Sequence, residues 1–486
     1  MAQLSPAEGR ELHYRIIAFS GEKATTGSML EIATGTYTTA ADFQKNISIH
    51  IPCTGAATIA EVPAFGTAYT WRISAGKTAK TDATLHHFTT LRNPVLDTAQ
   101  NRFRIIKNNG KYNGAYFIVD GTRCMYNSTG LPVWYLPDID GFINAGTQVR
   151  DIKITPQGTI TLLAGENAFE INYDGKLLWY KPTTTKLRDL EIPEAHLHHE
   201  FTRYKNGHYM VLGNEIYWFK LPTPEADSFT RIKKTEMLPD PGHKKYASAQ
   251  FGTILEYDKA GKLVWSWKAV DHFNTADLYY RKLPGVMGNL DLHQNAFYFD
   301  EATKHIYVSF KPISQVLKIK YPEGDVVNAF GKSYIAGETG DNFFCEQHSC
   351  KRSKEGYLYV FNNNLCDSLA IPSIVMMKEP ANNNERLKKI WEFEVPVEEA
   401  QKNELRSLDK SHFGSVLELP DMNLFASACS PYGNVFIVNR SKEVLFHAVS
   451  EKYDSSSNKW NAQPTYRASF IASRAALNKV IVTHKN

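Results

Sequence analysis

The sequence lacks the features of several large classes of protein. Six cysteines in 486 residues are too few for a disulfide-dense scaffold, and no C-x-x-C pair indicates a zinc site or a redox dithiol. No apolar run approaches the roughly 20 residues of a membrane-spanning helix. Lys and Arg number 55 against 51 Asp and Glu, and a net charge of +4 is too small for a nucleic-acid-binding surface. We therefore expect neither membrane insertion nor a nucleic-acid partner.

What the chain does contain is the material of a large core built from strands. Apolar residues make up 43% and aromatic residues 12% of the sequence, which argues against disorder. Short runs of Val, Ile, Tyr, Phe and Thr alternate with turns such as Asn109-Gly110 and Asp174-Gly175. The pattern predicts an all-β protein.

One hairpin pattern recurs six times, about 50 residues apart, at 123–135, 169–180, 253–267, 316–330, 374–393 and 435–446. A second type of hairpin precedes it, as at 151–163, 200–212 and 349–361. Two hairpins make a four-stranded unit, and six units predict a six-bladed β-propeller over residues 96–486. The alternative is a parallel solenoid, but its repeats are shorter, near 20–30 residues.

Residues 1–95 do not carry the repeat. Strand-like segments at 13–19, 48–51 and 70–73 predict a small N-terminal β-sandwich domain that closes at Asn93-Pro94. We interpret this domain as scaffolding or as a homodimer contact. Its Cys53 lies in a strand-like stretch, and we interpret it as a buried small apolar residue rather than a nucleophile.

The first strand of each propeller blade lines the central axis, so residues at one register of the repeat meet in space. Eight residues before the turn glycine of the first hairpins stand Arg102, Arg150, His199 and His348, while the fourth unit contributes His293 and the sixth Gly414. The sequence therefore predicts three histidines and two arginines at one end of one channel.

Three imidazoles could hold zinc with an open fourth position. Arg150 in the same ring and Lys311, which follows the fourth unit's second strand, would repel a dication and instead suit an anionic ester. We therefore expect an anion site with no metal and no cofactor. The nearby aromatic residues Tyr209, Trp218, Phe343 and Phe344 could sandwich a phenyl ring, but we interpret them as strand packing.

Six segments resemble the bacterial arylsulfate sulfotransferases, which transfer a sulfuryl group between phenols without a nucleotide sulfate donor. The segments are HHEFTRYKNGHYMVL (198–212), LVWSWKAVDHF (263–273), LDLHQNAFYFD with HIYVSFKPISQVLKI (290–319), EQHSCKRSKEGYLYVFNNN (346–364), SVLELPDMN (415–423) and YRASFI (466–471). They stand in the family's order and at comparable spacing. The resemblance implies a six-bladed propeller with an N-terminal β-sandwich.

The resemblance also implies roles for individual residues. His348 corresponds to the histidine that is transiently sulfurylated, His199 and His293 to the assisting histidines, and Asn295 to the partner of His293. Lys311 stands where the family has arginine, and Ser349 where it commonly has aspartate. The implied substrate-binding residues are Arg150, Tyr466 and Arg467.

The predicted function is that of an arylsulfate sulfotransferase. It would move a sulfuryl group from a phenolic sulfate ester to a phenolic acceptor by a ping-pong mechanism through a sulfohistidine, because cationic donors can stabilise the singly charged group without Mg²⁺. Two alternatives stay open. One is a propeller that binds anionic aryl ligands without catalysis, and the other is an aryl sulfate hydrolase.

The cysteines bear on the cellular compartment. A turn at Glu355-Gly356 would set His348 opposite Asn363 and Cys345 opposite Cys366, which predicts a Cys345–Cys366 disulfide, or failing that Cys345–Cys350, against the alternative of two buried thiols. A disulfide indicates an oxidising compartment, so we expect a periplasmic or secreted protein. The first residues lack a secretory signal, which is compatible with a cytosolic protein or with removal of the signal.

Overall fold

The computed structural model describes residues 9–20, 27–53, 57–74, 84–182, 196–222, 230–232, 245–273, 289–333, 340–366, 371–381, 385–398, 412–428 and 432–482. Strands account for 54% and helices for 6%, which confirms the all-β class. Among the described residues, no helix is long and apolar enough to cross a membrane.

Two sheets pack face to face near the N-terminus. The larger has the strand order β1-β7-β6-β3-β4, and the smaller pairs β2 with β5. Their bounds are β1 Arg10–Leu12, β2 Ile16–Ser20, β3 Met29–Thr34, β4 Ile47–Pro52, β5 Ala57–Glu61, β6 Thr67–Ser74 and β7 His86–Thr90, with helix α1 at Ala40–Asn46. Phe19 of the small sheet packs on Trp71 and Phe88 of the large one, at ring-centroid distances of 5.0 and 6.1 Å. Cys53 is half-buried against this core, as expected for an apolar residue.

Six further sheets follow, each built on four antiparallel strands. The first sheet consists of β9 Tyr116–Val119, β10 Cys124–Asn127, β11 Pro132–Tyr135 and β35 Ala468–Ile471. The second consists of β12 Val149–Ile154, β13 Ile160–Ala164, β14 Asn167–Ile171 and β15 Leu177–Lys181. The third consists of β16 His198–Arg203, β17 Tyr209–Lys220, β19 Tyr246–Tyr257 and β20 Leu263–Lys268, with β18 Thr230–Ile232 and β21 Asn289–Leu292 paired to it.

The fourth sheet consists of β22 Gln294–Asp300, β23 His305–Phe310, β24 Gln315–Lys320 and β25 Val326–Gly331. The fifth consists of β26 His348–Arg352, β27 Leu358–Asn362, β28 Ser373–Lys378 and β29 Lys388–Glu394. The sixth consists of β30 Ser415–Glu418, β31 Leu424–Ala428, β32 Asn434–Val438 and β33 Val444–Asp454, with β34 Lys459–Ala462 and β8 Asn101–Asn108 paired to it. Helix α2, Arg474–Val482, follows the last strand.

The innermost strands of the six sheets contact one another in a ring. Strand β35 contacts β12, which contacts β16, and the series continues through β22, β26 and β30, while β31 contacts β35. The β-propeller class is confirmed, and the number of six blades stays a prediction. The strands of the two N-terminal sheets lie within residues 1–95, and those of the other six sheets lie within residues 96–486. The division of the chain into two domains at this boundary stays a prediction.

The first sheet closes the ring differently from the sequence prediction. Its innermost strand is β35 from the C-terminus, which pairs with β9, whereas β8 joins the far side of β33. Arg102 therefore does not line the channel, and its prediction as a ring residue was wrong. Its guanidinium pairs with Glu451 and lies 4.0 Å above the ring of Trp460. The repeat register cannot reveal this, because a C-terminal strand completes an N-terminal sheet.

Candidate active site

The inner strands of the second, third and fifth sheets begin with a β-bulge. The pairing register shifts between Arg150 and Lys153, between His198 and Phe201, and between His348 and Cys350. One residue in each bulge has a left-handed backbone: Asp151 (φ 57°), His199 (φ 59°) and Ser349 (φ 56°). A bulge re-aims side chains at a strand end. The repeated bulge therefore accounts for polar side chains converging on one end of the axis.

Four imidazoles form what we call the histidine cluster: His198, His199, His293 and His348. The Nε2 atoms of His199 and His293 lie 2.8 Å apart, and the Nδ1 atoms of His198 and His199 lie 2.7 Å apart. The structure thus brings His199 and His293 together as the sequence predicts. The sixth sheet contributes Gly414, where a Cβ atom would lie 2.4 Å from Phe361, so a side chain at this position would clash.

Sequence reasoning missed His198, although the doubled histidine was its signal. The ring of His198 lies parallel to that of His293 at a centroid distance of 5.6 Å. Because a neutral imidazole carries one N–H and one lone pair, the hydrogen bonds from His198 through His199 to His293 form a directed chain. Such a chain can pass a proton between the site and its edge.

His348 is held in one tautomer by Asn363. The Nδ2 of Asn363 donates to the carbonyl of Phe413 at 2.7 Å, so its Oδ1 is the acceptor facing His348 Nδ1 at 2.6 Å. His348 Nδ1 must then carry the proton, which leaves the lone pair of the neutral ring on Nε2. Asn363 thus orients His348 in the way that the third residue of a catalytic triad orients the base.

Burial keeps the histidine cluster neutral. Burial, together with the nearby charges of Lys311 and Arg150, lowers the pKa of His293 to about 4. The pKa values of His198, His199 and His348 also lie well below 6.5, mainly because burial disfavours the charged ring. All four rings are therefore neutral at neutral pH.

Two cations flank the cluster. Lys311 follows β23, and its main-chain N–H donates to the carbonyl of His293 at 3.2 Å, while its ammonium lies 3.3 Å from Glu346. The guanidinium of Arg150 lies 5.5 Å from the ring centre of Tyr466 and donates to Gln148 at 2.9 Å. Both charges depress the pKa of His293, which places them within electrostatic reach of the site. An anionic group in this position would meet both cations.

Asn295 lies in the interior but does not pair with His293. Its Nδ2 donates to the carbonyl of Gln347 at 2.7 Å, and its buried Oδ1 has no partner among the described residues. The implied pairing with His293 was therefore wrong. The bulge between Gln294 and Ala296 explains the difference, because it directs Asn295 toward the neighbouring inner strand.

Tyr466 and Arg467 lie at different depths. The ring of Tyr466 is 5.6 Å from that of His199, beside the cluster. Arg467 is buried beneath it, with Nη1 2.8 Å from both Asp151 and Glu200 and Nη2 donating to the carbonyl of Asn295 at 3.0 Å. Two carboxylates thus take up the guanidinium of Arg467. Its geometry is that of a brace between inner strands rather than of a substrate contact.

A buried aspartate fixes the strand that carries both residues. Asp120 accepts hydrogen bonds from the main-chain N–H groups of Asp151, Tyr466 and Arg467 at 3.1, 2.8 and 2.8 Å. Burial raises the pKa of Asp120 to about 7 despite these three donors. Asp120 and Arg467 together tie the closing strand to the second sheet, which positions Tyr466.

Ser349 lies at a bulge position whose side chain contacts the next inner strand of the propeller. Asp151, at the equivalent bulge, accepts from the main-chain N–H of Phe201 on the next inner strand at 2.8 Å. Ser349 makes the corresponding contact with Val416 at 3.4 Å. The position therefore links neighbouring sheets, and serine forms a weaker link than a charged acceptor would.

The aromatic wall of the site differs from the residues considered in the sequence. Phe413 lies 5.9 Å from His348 and 5.0 Å from Tyr466 between ring centres. Tyr209 instead stacks on Trp179 at 4.1 Å within a buried core, and Phe344 is buried in another core, so these two are strand packing as interpreted. Phe413 precedes a short strand in a segment without a repeat signal, which is why the sequence did not indicate it.

The predicted Cys345–Cys366 disulfide is present, with a Cα–Cα distance of 5.9 Å. Cys350 is a buried thiol, so the Cys345–Cys350 alternative was wrong. The predicted register was also wrong, because His348 pairs with Phe361 across the Ser349 bulge. The disulfide joins the chain just before His348 to the chain just after Asn363. It thereby encloses the nucleophile candidate and its orienting group in one covalent loop.

This disulfide leads to a chemical prediction. A digest of unreduced protein should contain Cys345 and Cys366 in one linked peptide pair, while Cys124 and Cys350 become alkylated only on unfolding, since both are buried. The Cys366→Ser variant should lose about 3 kcal/mol of unfolding free energy, the scale expected for a loop of this size. Alkylation of Cys345 and Cys366 without reductant would contradict the linkage.

No group of three or more His, Cys, Asp or Glu side chains among the described residues is arranged to hold a metal ion. The nitrogen atoms of His199 are both engaged by other imidazoles. The flanking cations favour an anionic ligand.

Comparison with known proteins finds one family whose model matches part of the chain. The model of the arylsulfotransferase (ASST) family matches residues 221–395. Residues 221–395 are therefore similar to the arylsulfotransferase family. The matched segment includes His293, Asn295, Lys311 and His348, so the resemblance noted in the sequence is confirmed over this part of the chain.

The whole chain is similar to solved structures at low sequence identity. No curated protein matches it. Solved structures include a Bacteroides caccae protein of unknown function (12% identity, TM-score 0.43, covering 74% of this chain and 98% of that one). They also include the Pseudomonas aeruginosa periplasmic gluconolactonase PpgL (9%, 0.38, 77% and 99%) and the Myceliophteria thermophila Cps50 (Swd1) β-propeller domain (9%, 0.34, 67% and 98%). These values are too low to transfer any activity.

Proposed function

We propose that this protein is an arylsulfate sulfotransferase that works through a sulfohistidine at His348. The observation that carries the proposal is the Asn363–His348 hydrogen bond, which leaves the Nε2 lone pair of a buried neutral imidazole beside Lys311 and the other three imidazoles. The match to the family supports sulfuryl transfer in general. The phenolic donor and acceptor and the ping-pong course are part of the proposal.

In the first half-reaction, His348 Nε2 attacks the sulfur of an aryl sulfate, and the bond from sulfur to the phenolic oxygen breaks. The phenolate leaves with the bonding electron pair, and an N–H of the His199–His293 pair stabilises it by hydrogen bonding. The sulfurylated ring keeps its Nδ1 proton, which Asn363 continues to hold. Lys311 and Arg150 offset the charge on the three equatorial oxygens, as cations do in phosphoryl transfer.

In the second half-reaction, an acceptor phenol takes the place of the first. Its oxygen attacks sulfur, the bond from sulfur to His348 Nε2 breaks, and its hydroxyl proton is released to solvent. His348 is restored as a neutral ring with its lone pair on Nε2. The released proton balances the phenolate of the first half-reaction.

The disulfide beside His348 supports a further element of the proposal, an oxidising compartment such as the periplasm. We also propose that Arg467 and Asp120 act as positioning residues and that Phe413 and Tyr466 contact the aryl group. Tyr466 and Phe413 present two rings whose centres are 5.0 Å apart at the edge of the cluster.

A chromogenic assay tests the function. Protein is incubated with 4-nitrophenyl sulfate, with and without a phenol acceptor. We expect sustained release of nitrophenol only with the acceptor present, together with formation of the acceptor's sulfate ester. Release that does not depend on acceptor would indicate a hydrolase, and no release would indicate a binding protein. Either result would overturn the proposal.

The low pKa values predict an unusual pH profile for the first half-reaction. Because the folded pKa of the nucleophile lies well below 6.5, His348 stays neutral as the pH falls through that value, and the burst rate should be constant from pH 8 to pH 5. The burst rate should begin to fall only as the pH approaches the His293 pKa of about 4. Rapid-quench measurement of phenol release checks this, and a half-loss near pH 6.5 would contradict it.

A further inference from the structure

Glu346 places a carboxylate beside the lysine of the site. Its Oε2 lies 3.3 Å from Lys311 Nζ, and the two side chains are 34% and 22% exposed, so a ligand can reach both. Glu346 stands two residues before His348 in the chain. A negative charge here is unexpected in a site for anions, because it competes with the ligand for the lysine.

Glu346 is fixed by the same framework that fixes the histidines. Its backbone is left-handed (φ 48°), and its main-chain N–H donates to Ser314 Oγ at 3.0 Å. Ser314 N–H donates to the carbonyl of Lys311 at 3.0 Å, and Lys311 N–H donates to the carbonyl of His293. On its other side, Glu346 follows the disulfide-bonded Cys345. The carboxylate is therefore pre-organised rather than a chance surface neighbour.

The charges around the site give this carboxylate its effect. At the level of the neutral imidazoles stand Arg150 and Lys311, opposed by Glu346, which sum to one positive charge. Beneath them, a second group of charges largely compensates itself: Arg467, Lys153 and Lys351 facing Asp151, Glu200 and Asp120. The net charge that meets a ligand thus equals in size the single charge of a sulfate monoester.

We propose that Glu346 is a specificity-determining residue that makes the site select singly charged sulfate esters over doubly charged phosphate esters. The inference rests on the proposed function, since it takes the histidine cluster as the sulfuryl site. Sulfate and phosphate monoesters share a tetrahedral shape and oxygen spacing, so contacts alone distinguish them poorly. A phosphate ester carries close to two charges at neutral pH, and the Glu346 carboxylate repels the second charge as strongly as the first.

The expected result follows from Coulomb's law. Replacing Glu346 with Gln removes one negative charge, and the gain in interaction is twice as large for a dianion as for a monoanion. We expect Glu346→Gln to bind 4-nitrophenyl phosphate about ten-fold more tightly at pH 8 but 4-nitrophenyl sulfate only about three-fold more tightly. Binding is measured by calorimetry, with sulfate binding measured on a timescale shorter than turnover or in the His348→Asn background.

Lowering the pH reduces the charge of the phosphate ester, so the same compound also serves as a control for the effect of charge. As the pH falls to 5 a large part of the phosphate ester becomes a monoanion, and the effect of the substitution should shrink toward the three-fold seen with sulfate. The cluster stays neutral over this range, as the His293 pKa of about 4 requires. Asp120, whose pKa is about 7, titrates in both proteins and cancels from the comparison.

Two further variants complete the test. Glu346→Asp keeps the charge and should keep the discrimination. Glu323→Gln breaks an ion pair of the same 3.3 Å length, with Lys320 on an outer turn, and should change neither affinity. Equal changes for the two esters at pH 8, or no change, would overturn the role of Glu346. Because binding of both esters is measured without transfer, that outcome is distinct from failure of the proposed function, which the acceptor assay detects.

Discussion

His348→Asn should release no rapid equivalent of phenol when mixed with excess aryl sulfate in the absence of acceptor. The wild-type protein should release about one equivalent, because one imidazole per molecule takes up the sulfuryl group. Asparagine approximates the shape of histidine and can still bond to Asn363, but it has no ring nitrogen to form the intermediate. The measurement is the amplitude of the burst in rapid-quench experiments, which should fall from one to zero.

The neighbouring histidines provide the matched controls. His199→Asn and His293→Asn should slow the burst while preserving its amplitude, because these residues orient the ester and stabilise the leaving phenolate. Both positions belong to the same buried cluster, with the 2.8 Å contact between them, so a general loss of structure would affect all three variants alike. A full burst in His348→Asn would remove this histidine as the nucleophile.

Lys311→Ala should lower the rate of transfer by about ten- to a thousandfold, the range found for losing one preorganised donor to an oxyanion. The ammonium lies near enough to depress the pKa values of His293 and His348, and it forms an ion pair with Glu346. Lys311→Arg should preserve or raise activity, because a guanidinium can hold two sulfuryl oxygens at once.

Folding should be unaffected by either change at Lys311, since the residue is partly exposed and its structural hydrogen bonds come from the main chain. Thermal unfolding serves as the control. Wild-type kinetics in Lys311→Ala would mean that the lysine is a solvated surface residue and that its correspondence with the family's arginine is mistaken.

The repeat predicted where polar side chains meet, and its limits are physical. Arg150, His199 and His348 were found by register because each starts an inner strand, whose position depends on local pairing within one hairpin. Arg102 failed the same rule because β35 from the other end of the chain occupies the innermost place. Ring closure is a long-range contact that hairpin spacing does not encode.

The groups that tune the site were the hardest to predict. Asn363 orients His348 through a side-chain contact across a bulge, and Phe413 holds Asn363 through its carbonyl. The predicted register set His348 opposite Asn363, but the observed ladder pairs His348 with Phe361, so the side-chain contact with Asn363 does not arise from that pairing. The disulfide was predicted despite that shift, because its cysteines lie beyond the ladder, where the chain ends still approach.

Peptide mapping of the covalent intermediate tests the central claim most directly. Wild-type protein is mixed with excess aryl sulfate without acceptor, quenched under conditions that preserve an acid-labile adduct, digested and analysed by mass spectrometry. We predict one sulfuryl group on the peptide that contains Glu346-Gln347-His348, and its disappearance, with formation of a new aryl sulfate, when a phenol is added before quenching. A sulfuryl group on His199 or His293, or on no peptide during active transfer, would contradict the account.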